Sequence, residues 1–424
     1  MTQRNHRAPY RRYPYHGVRG DTLCPVLTSF VRMARHYLFM CQPDHGHVIP
    51  NLAVVAELVR RGNRVTYVTG ESMADVVRAA GATVIGYDSI YHKADLRRLE
   101  DDPLGLISLF LDESRVMLES VGEEKADVVV YDISVLHAGR ILARKWGRPA
   151  VQLIPVFASN EHFSYLSSIY GDGGAGGALP GWVDDMLART ATLARDHGVD
   201  VPPADLWWQV QDFSLVNLPR SFQFAGETFD ERFAFVGPCL GERALGERSF
   251  LSDWTPPGDG RPIALLTFGT VASSRPDLFR TCVRAFGELP WHTVVTVPEA
   301  VDLGPLPSNV EVRRWVSHMS VLRHADVAVT HGGMGTAMEA LYWGRPTVIV
   351  PATAIDGPPA RRVAELGLGR VVDPAELTPE RLVADVLAVV SDDRVRQATA
   401  AMAQEIREAG GTARAADELE RYAA

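Results

Sequence analysis

From Tyr37 to Met40 the chain is apolar, and a few residues later Leu52, Val55, Ala56 and Val59 recur at helical spacing before Arg61-Gly62 ends the pattern. Such a succession predicts a strand, a turn and a helix, with Pro50 at the first helical position. The unit repeats. Apolar runs at 65–68, 83–87, 128–131, 151–154 and 215–218 alternate with helical or loop stretches, one helix stopping at Ala79-Ala80-Gly81. From Phe235-Val-Gly-Pro238 to Pro262 the chain is rich in Gly, Pro and charge, which marks a linker. The rhythm then resumes with runs at 263–268, 293–297, 310–312, 327–330 and 347–350, and the segments 76–87 and 361–372 echo each other as helix, glycine stop and strand. Short apolar runs separated by helices predict parallel sheets covered on both faces. The expected fold class is therefore α/β, with two doubly wound, Rossmann-like domains facing across a cleft. The expected boundaries are a basic, disordered extension at 1–35, an N-terminal domain at 36–238, a linker at 239–260, a C-terminal domain at 261–405, and a terminal helix at 406–424 packing back on the first domain.

Composition narrows the partners. A net charge of -9 and a pI near 5.8 leave no broad basic face for nucleic acid or an anionic membrane. Seven arginines before residue 36 face a single acid, Asp21, and no function is assigned to them. The four cysteines (Cys24, Cys41, Cys239, Cys282) are dispersed and form no CxxC, so neither a zinc site nor a disulfide framework is expected. No apolar run reaches the roughly 18 residues needed to span a bilayer. Small molecules in a reducing cytoplasm are the expected setting, and a homodimer is the one protein partnership allowed for.

Two stretches carry chemistry. Thr330-His-Gly-Gly-Met-Gly-Thr336 lies between an apolar run and the helical Ala337-Met-Glu-Ala-Leu341. A glycine-rich turn opening a helix presents unpaired N–H groups and the positive end of the helix dipole, a setting for phosphate. His331 and Thr336 add side-chain donors, so a diphosphate could be held without a metal. The bland alternative is that the glycines only let the helix approach its sheet. No DxD triplet, the commonest carboxylate pair for a metal-bridged nucleotide sugar, occurs. In Cys41-Gln-Pro-Asp-His-Gly-His-Val-Ile-Pro-Asn51, two histidines flank a glycine where strand turns to helix. A histidine there is either a cap or a base, and the helix end should keep it neutral; Gly46 is expected to make a sharp turn. Asp132, closing the run Val128 to Tyr131, is either its orienting partner or a helix cap.

The segments THGGMGTAMEALYWGRPTVIVP, HGHVIPNLAVVAELVRRGNRVTYVT and VVVYDISV resemble the bacterial natural-product branch of glycosyltransferase family 1, the macrolide and enediyne type, from about His36 onward. The resemblance implies the GT-B fold and metal-independent, inverting transfer of a nucleotide-activated sugar to a hydroxyl. It makes His47 the base, with Asp132 as its partner, and His331 the β-phosphate ligand, with Gly333, Met334, Gly335 and Thr336 lining the diphosphate. It gives Glu339 the ribose, Trp315 and Val316 the base, and the loop at Thr270 a place over the phosphates. Two departures stand out. Ser317-His318 replace the family's Pro-Gln, and Ile355-Asp356 replace an acid–Gln pair that holds glucose hydroxyls, so a deoxysugar on thymidine diphosphate fits better than glucose, with Asp356 left for one polar group. Acceptor recognition falls to the irregular N-terminal stretches, with Phe110, Phe157, His162, Phe163 and Tyr165 as candidates for a large apolar polyketide-type acceptor, and 171–177 as a loop that either orders over it or is plain surface. No cofactor beyond the sugar donor is expected. The alternatives are a macrolide-inactivating enzyme using UDP-glucose, an epimerase or hydrolase on the same fold, and a non-catalytic nucleotide-sugar binder.

Overall fold

The computed structural model of the chain describes residues 34–94, 103–171, 182–240, 254–269, 276–297 and 301–423. The expected extension falls outside them apart from Ala34 and Arg35, as do Thr270, most of the glycine-rich loop and most of the linker. The unit Ala34–Ala424 is built on two parallel sheets. The first contains β1 (His36–Met40), β2 (Arg64–Gly70), β3 (Thr83–Tyr87), β4 (Val128–Asp132), β5 (Ala150–Ile154), β6 (Ser214–Val216) and β7 (Phe233–Phe235) in the order β3-β2-β1-β4-β5-β6-β7. The second contains β8 (Ile263–Thr267), β9 (His292–Thr296), β10 (Val310–Arg313), β11 (Val327–Thr330), β12 (Thr347–Ile349) and β13 (Gly369–Val371) in the order β10-β9-β8-β11-β12-β13. Helices cover both faces of each sheet, which is why strands such as Val128-Val-Val-Tyr-Asp132 are buried at every position. β7 lies inside the expected N-terminal domain but is not among the apolar runs that predict strands, and its last residue, Phe235, opens the Gly- and Pro-rich stretch. The strand's three residues are too few to display a period, and pairing with β6 makes it a strand.

Strand order reverses between β1 and β4 in the first sheet and between β8 and β11 in the second. At such a switch point neighbouring strands send their connections to opposite faces and leave a crevice beyond their carboxyl ends. Register fixes what enters it. Met40 pairs with Tyr131, so Asp132 lies one residue beyond the end of β1. Thr267 pairs with Thr330, so Gly269 and His331 leave the second sheet side by side.

The two sheets are bound by a shared apolar cluster, in which Phe157, Phe222 and Phe235 of the first domain meet Met334, Met338 and Ile406 from the second half. Arg362 locks the junction, donating to the carbonyls of Ser221, Phe222 and Gln223 at 2.7, 3.0 and 3.2 Å. The final helix, Gly411–Tyr422, packs back on the first domain, placing Ala415, Ala416 and Leu419 in the same cluster as Leu52 and Val55. Its Asp417 and Glu420 take hydrogen bonds from Arg61 at 2.5 and 2.8 Å, and Tyr422 stacks on Phe213.

His137, on the helix Leu136–Trp146, is 1 % exposed. Its ring meets the edge of Trp207 at a centroid distance of 4.0 Å, and neither ring nitrogen has a partner among the described residues. Burial, helped by the nearby Arg140 charge, pushes its pKa down to about 3. Because the folded value lies below the ordinary 6.5, stability is fully present above pH 6.5 and is lost as pH falls toward 3, by at most about 1.4 kcal/mol per pH unit. Denaturant titrations at pH 7, 6, 5 and 4 should therefore show a shallower pH dependence for His137→Phe than for the parent; parallel curves would mean that this ring is not buried neutral.

Candidate active site

The helix after β1 runs His45–Arg60 and is capped by Asp44, whose Oδ1 accepts the Gly46 N–H at 2.7 Å. It starts five residues earlier than Pro50 implied. Pro50 sits inside it, one turn in, because the Asp44 cap nucleates the helix upstream. Gly46 makes no sharp turn either: it is helical, and a Cβ there would come within 3.0 Å of the capping oxygen. The cap is tied to the loop after β3. Tyr91 donates its hydroxyl to Asp44 Oδ2 at 3.3 Å, while the fully buried Glu113 carboxylate accepts the Tyr87 and Ser89 hydroxyls and the N–H groups of Ile90 and Tyr91 at 2.7–3.0 Å.

This start places His47, the third helical residue, over the end of β4. Its Nδ1 lies 2.8 Å from Asp132 Oδ1. An ionised carboxylate only accepts, so Nδ1 carries the proton and Nε2 is left for another group. Asp132 is 0 % exposed, and the same oxygen accepts the Ser134 N–H and hydroxyl at 2.8 and 2.6 Å. The two readings of Asp132, cap and partner, are both realised in one atom. His45 is exposed on the same turn, with no such partner among the described residues. The expected charge state is corrected: burial pushes the His47 pKa down, but the Asp132 charge and hydrogen bond, with Asp44 behind them, outweigh it and raise the value to about 9. A full charge at hydrogen-bond distance exceeds the roughly half charge of a helix end.

At the second switch point, the helix Met334–Tyr342 begins after Gly333 with no side-chain cap. The His331 ring stands between two glycines. A Cβ on Gly269 would come within 2.9 Å of its Cε1, and one on Gly333 within 2.6 Å of its Nε2. Burial lowers the His331 pKa, opposed by Asp356, whose Oδ1 is 3.9 Å from Nε2. Burial thus favours the neutral form of the His331 ring. Asp356 Oδ2 is already taken by the Ala352 and Thr353 N–H groups and the Thr353 hydroxyl. Trp315 is 56 % exposed while Val316 is buried, and Glu339 Oε2 lies 3.2 Å from His318 Nδ1. The helices that begin at His45 and at Met334 pack on one another. Among the described residues no group of three or more His, Cys, Asp or Glu is set to hold a metal ion.

Residues 281–420 match the C-terminal domain of the erythromycin biosynthesis protein CIII-like family. The chain is 40% identical to demethyllactenocin mycarosyltransferase of Streptomyces fradiae over 92% of its own length and 86% of that protein's. The chain belongs to the family 1 glycosyltransferases. It is also 34% identical to oleandomycin glycosyltransferase of Streptomyces antibioticus, over 89% of this chain and 88% of that one. The crystal structure of the calicheamicin glycosyltransferase CalG4 superposes with a TM-score of 0.81 at 40% identity, covering 92% of this chain and 98% of the other. This glycosyltransferase therefore has the GT-B architecture of two parallel-sheet domains.

The aromatic candidates of the glycosyltransferase divide. Phe157 is 0 % exposed and stacks on Phe222 at 5.7 Å; it is core, because the run after β5 turns under the domain junction, and it is withdrawn as an acceptor contact. Phe163 and Tyr165 are half-buried beside it, His162 is exposed, and Phe110 stacks on Tyr91 at 6.5 Å. The helix Tyr165–Tyr170 touches the Ala354–Asp356 turn of the other domain. Reasoning from sequence missed the Asp44–Tyr91–Glu113 support, Gly269 as a wall and the pairing of His318 with Glu339, although Glu339 was named for the ribose and His318 stood out as a departure from the family pattern.

The walls of His331 are testable without touching the ring. Gly333→Ala should displace the imidazole and weaken nucleoside diphosphate binding nearly as much as His331→Ala, about tenfold if one charge-assisted contact is lost. Calorimetry giving unchanged affinity for both variants would remove His331 from the anion site.

Proposed function

We propose that this enzyme transfers a deoxysugar from a thymidine diphosphate donor to a hydroxyl of a large polyketide-type natural product, with inversion and without a metal ion. The observation that carries the reading is the His47–Asp132 pair at one switch point, on a helix packed against the helix that opens from the glycine-walled His331 at the other. Relatives named for demethyllactenocin, oleandomycin and calicheamicin support a natural-product acceptor. Ile355, 43 % exposed, and the preoccupied Asp356 leave little to satisfy the hydroxyls of glucose. A buried hydroxyl without a partner costs about 1–3 kcal/mol, which supports a deoxysugar.

In the proposed reaction, His47 Nε2 takes the proton of the acceptor hydroxyl as its oxygen bonds to the anomeric carbon. The bond from that carbon to the β-phosphate oxygen breaks, and the diphosphate leaves with the electron pair. The uncapped N–H groups from Met334 onward, the Thr336 hydroxyl and the His331 ring receive the negative charge. Asp132 stabilises the imidazolium formed on His47 and holds its tautomer. Glu339 is assigned to the sugar of the nucleotide, Trp315 and Val316 to its base, and Thr270, outside the described residues, to the phosphates. A single displacement inverts the anomeric centre.

Assays of hydroxylated polyketide aglycones with thymidine diphosphate deoxyhexoses should yield product of inverted configuration, at rates that survive EDTA. Strong preference for UDP-glucose would instead favour the macrolide-inactivating alternative, and a rate abolished by chelator and restored by magnesium would end the metal-free mechanism.

The raised His47 pKa makes a second demand. At pH 7 roughly one molecule in a hundred has the base form, so kcat/KM should climb about tenfold per pH unit and level off near pH 9. Asp132→Asn should lower the plateau and move the limb toward the ordinary histidine range. His47→Ala should cost about two to four powers of ten in turnover with donor binding kept. A flat profile from pH 6 to 9 in the parent would exclude His47 as the titrating base.

A further inference from the structure

Glu339 and His318 come from different elements. His318 opens the short helix His318–Leu322 after β10, and Glu339 lies in the helix Met334–Tyr342 after β11. Their contact is between His318 Nδ1 and Glu339 Oε2, at 3.2 Å, with the two side chains 24 and 21 % exposed. Since a carboxylate can only accept, His318 donates through Nδ1. Oε1 of Glu339 has no partner among the described residues. Both residues are backed by core: Met319 and Ser320 are buried behind His318, and Met338 and Ala340 flank Glu339 on buried positions. Ser317 fixes the helix start by accepting the Ser320 N–H at 3.3 Å. The pair is therefore held by its two elements and not by a flexible surface.

We propose that His318 is a positioning residue that commits one oxygen of Glu339 and thereby selects a 2′-deoxyribonucleotide over a ribonucleotide. The inference rests on the reading, given above, that Glu339 meets the sugar of the donor nucleotide. A ribose presents neighbouring 2′- and 3′-hydroxyls, which are best met by the two oxygens of one carboxylate. A deoxyribose presents the 3′-hydroxyl alone, and Oε1 suffices for it. With Oε2 occupied by the imidazole N–H, a 2′-hydroxyl must share or displace that bond, or remain short of a partner in a partly buried site. The burden falls on ribonucleotides only, so discrimination arises from an existing bond and not from steric exclusion. No group on the protein needs to touch the 2′ position for this to operate.

The test compares UDP with dUDP, which differ only in the 2′-hydroxyl, and thymidine diphosphate, by titration calorimetry on the full chain. The parent should bind dUDP about three- to tenfold more tightly than UDP, the range expected of one hydrogen bond. His318→Ala should bring that ratio to about one by improving UDP binding. His318→Asn, whose amide N–H can stand where Nδ1–H stands, should keep the preference. A purely structural role would weaken both diphosphates alike and leave the ratio unchanged in His318→Ala, which overturns the proposal. So does a parent enzyme that binds UDP as tightly as dUDP. If all three diphosphates bind equally well, only this inference falls and the donor site stands. If none of them binds, the nucleotide-sugar reading itself falls and takes the inference with it.

Discussion

A parallel sheet closes its own crevices wherever consecutive strands are added in one direction, because the helices that connect them cover the carboxyl ends. The gap opens only where the direction of addition reverses, between β1 and β4 and again between β8 and β11. Both groups that carry the proposed chemistry stand at these two places, and they stand there by register: Asp132 because β4 runs one residue past the end of β1, and His331 because β11 ends level with β8. The shared core, with Phe222 against Met334 and Met338, and the Arg362 clasp then bring the two openings into one molecule. Remove the reversal in either sheet and its histidine would be covered by a helix.

The two switch points use the same residue type in opposite charge states. Burial disfavours the imidazolium at both. At His47 a carboxylate at 2.8 Å reverses the balance, whereas at His331 the nearest carboxylate is 3.9 Å away and its other oxygen is saturated by the Ala352–Thr353 turn, so burial prevails. About one ångström of separation, and the hydrogen bond that it allows or forbids, divides a strong base from a neutral donor. That division suits the tasks assigned in the proposed reaction, in which a proton is taken up at one site while the other accommodates the leaving diphosphate.

The alternation of strands and helices was legible because most elements are long enough to show their period, and the two chemical stretches were legible because a histidine beside a glycine at the start of a helix puts a side-chain donor or base next to unpaired N–H groups. What could not be read depended on partners distant in the chain. Asp132 offered cap or catalytic partner as alternatives, and nothing in the residue order indicates that one oxygen serves Ser134 and His47 together. The charge of His47 was misjudged because the helix end is local and visible, while the carboxylate that overrules it lies 85 positions on. Phe157 has the composition of its aromatic neighbours, and only the packing of the domain junction separates a core ring from a surface one. Pro50 looked like a helix start because the stronger signal, Asp44 as a cap, is separated from the periodic apolar residues by the polar first turn His45-Gly46-His47.

The last helix carries a consequence for the order of assembly. Ala415, Ala416 and Leu419 complete the cluster formed by the opening strand and the helix that bears His47, although more than 350 residues separate Arg61 from Asp417. During synthesis the N-terminal domain emerges before the second one, yet it must wait through production of that whole domain with this face uncovered. The second domain, whose core takes Val372, Val386 and Val389 and is covered by the helix Asp393–Glu408, has all its elements in hand before the last helix is made and can reach a finished interior first. Assembly of the two domains therefore closes on the first of them, and the helix that bears His47 belongs to the part of the scaffold that is sealed last.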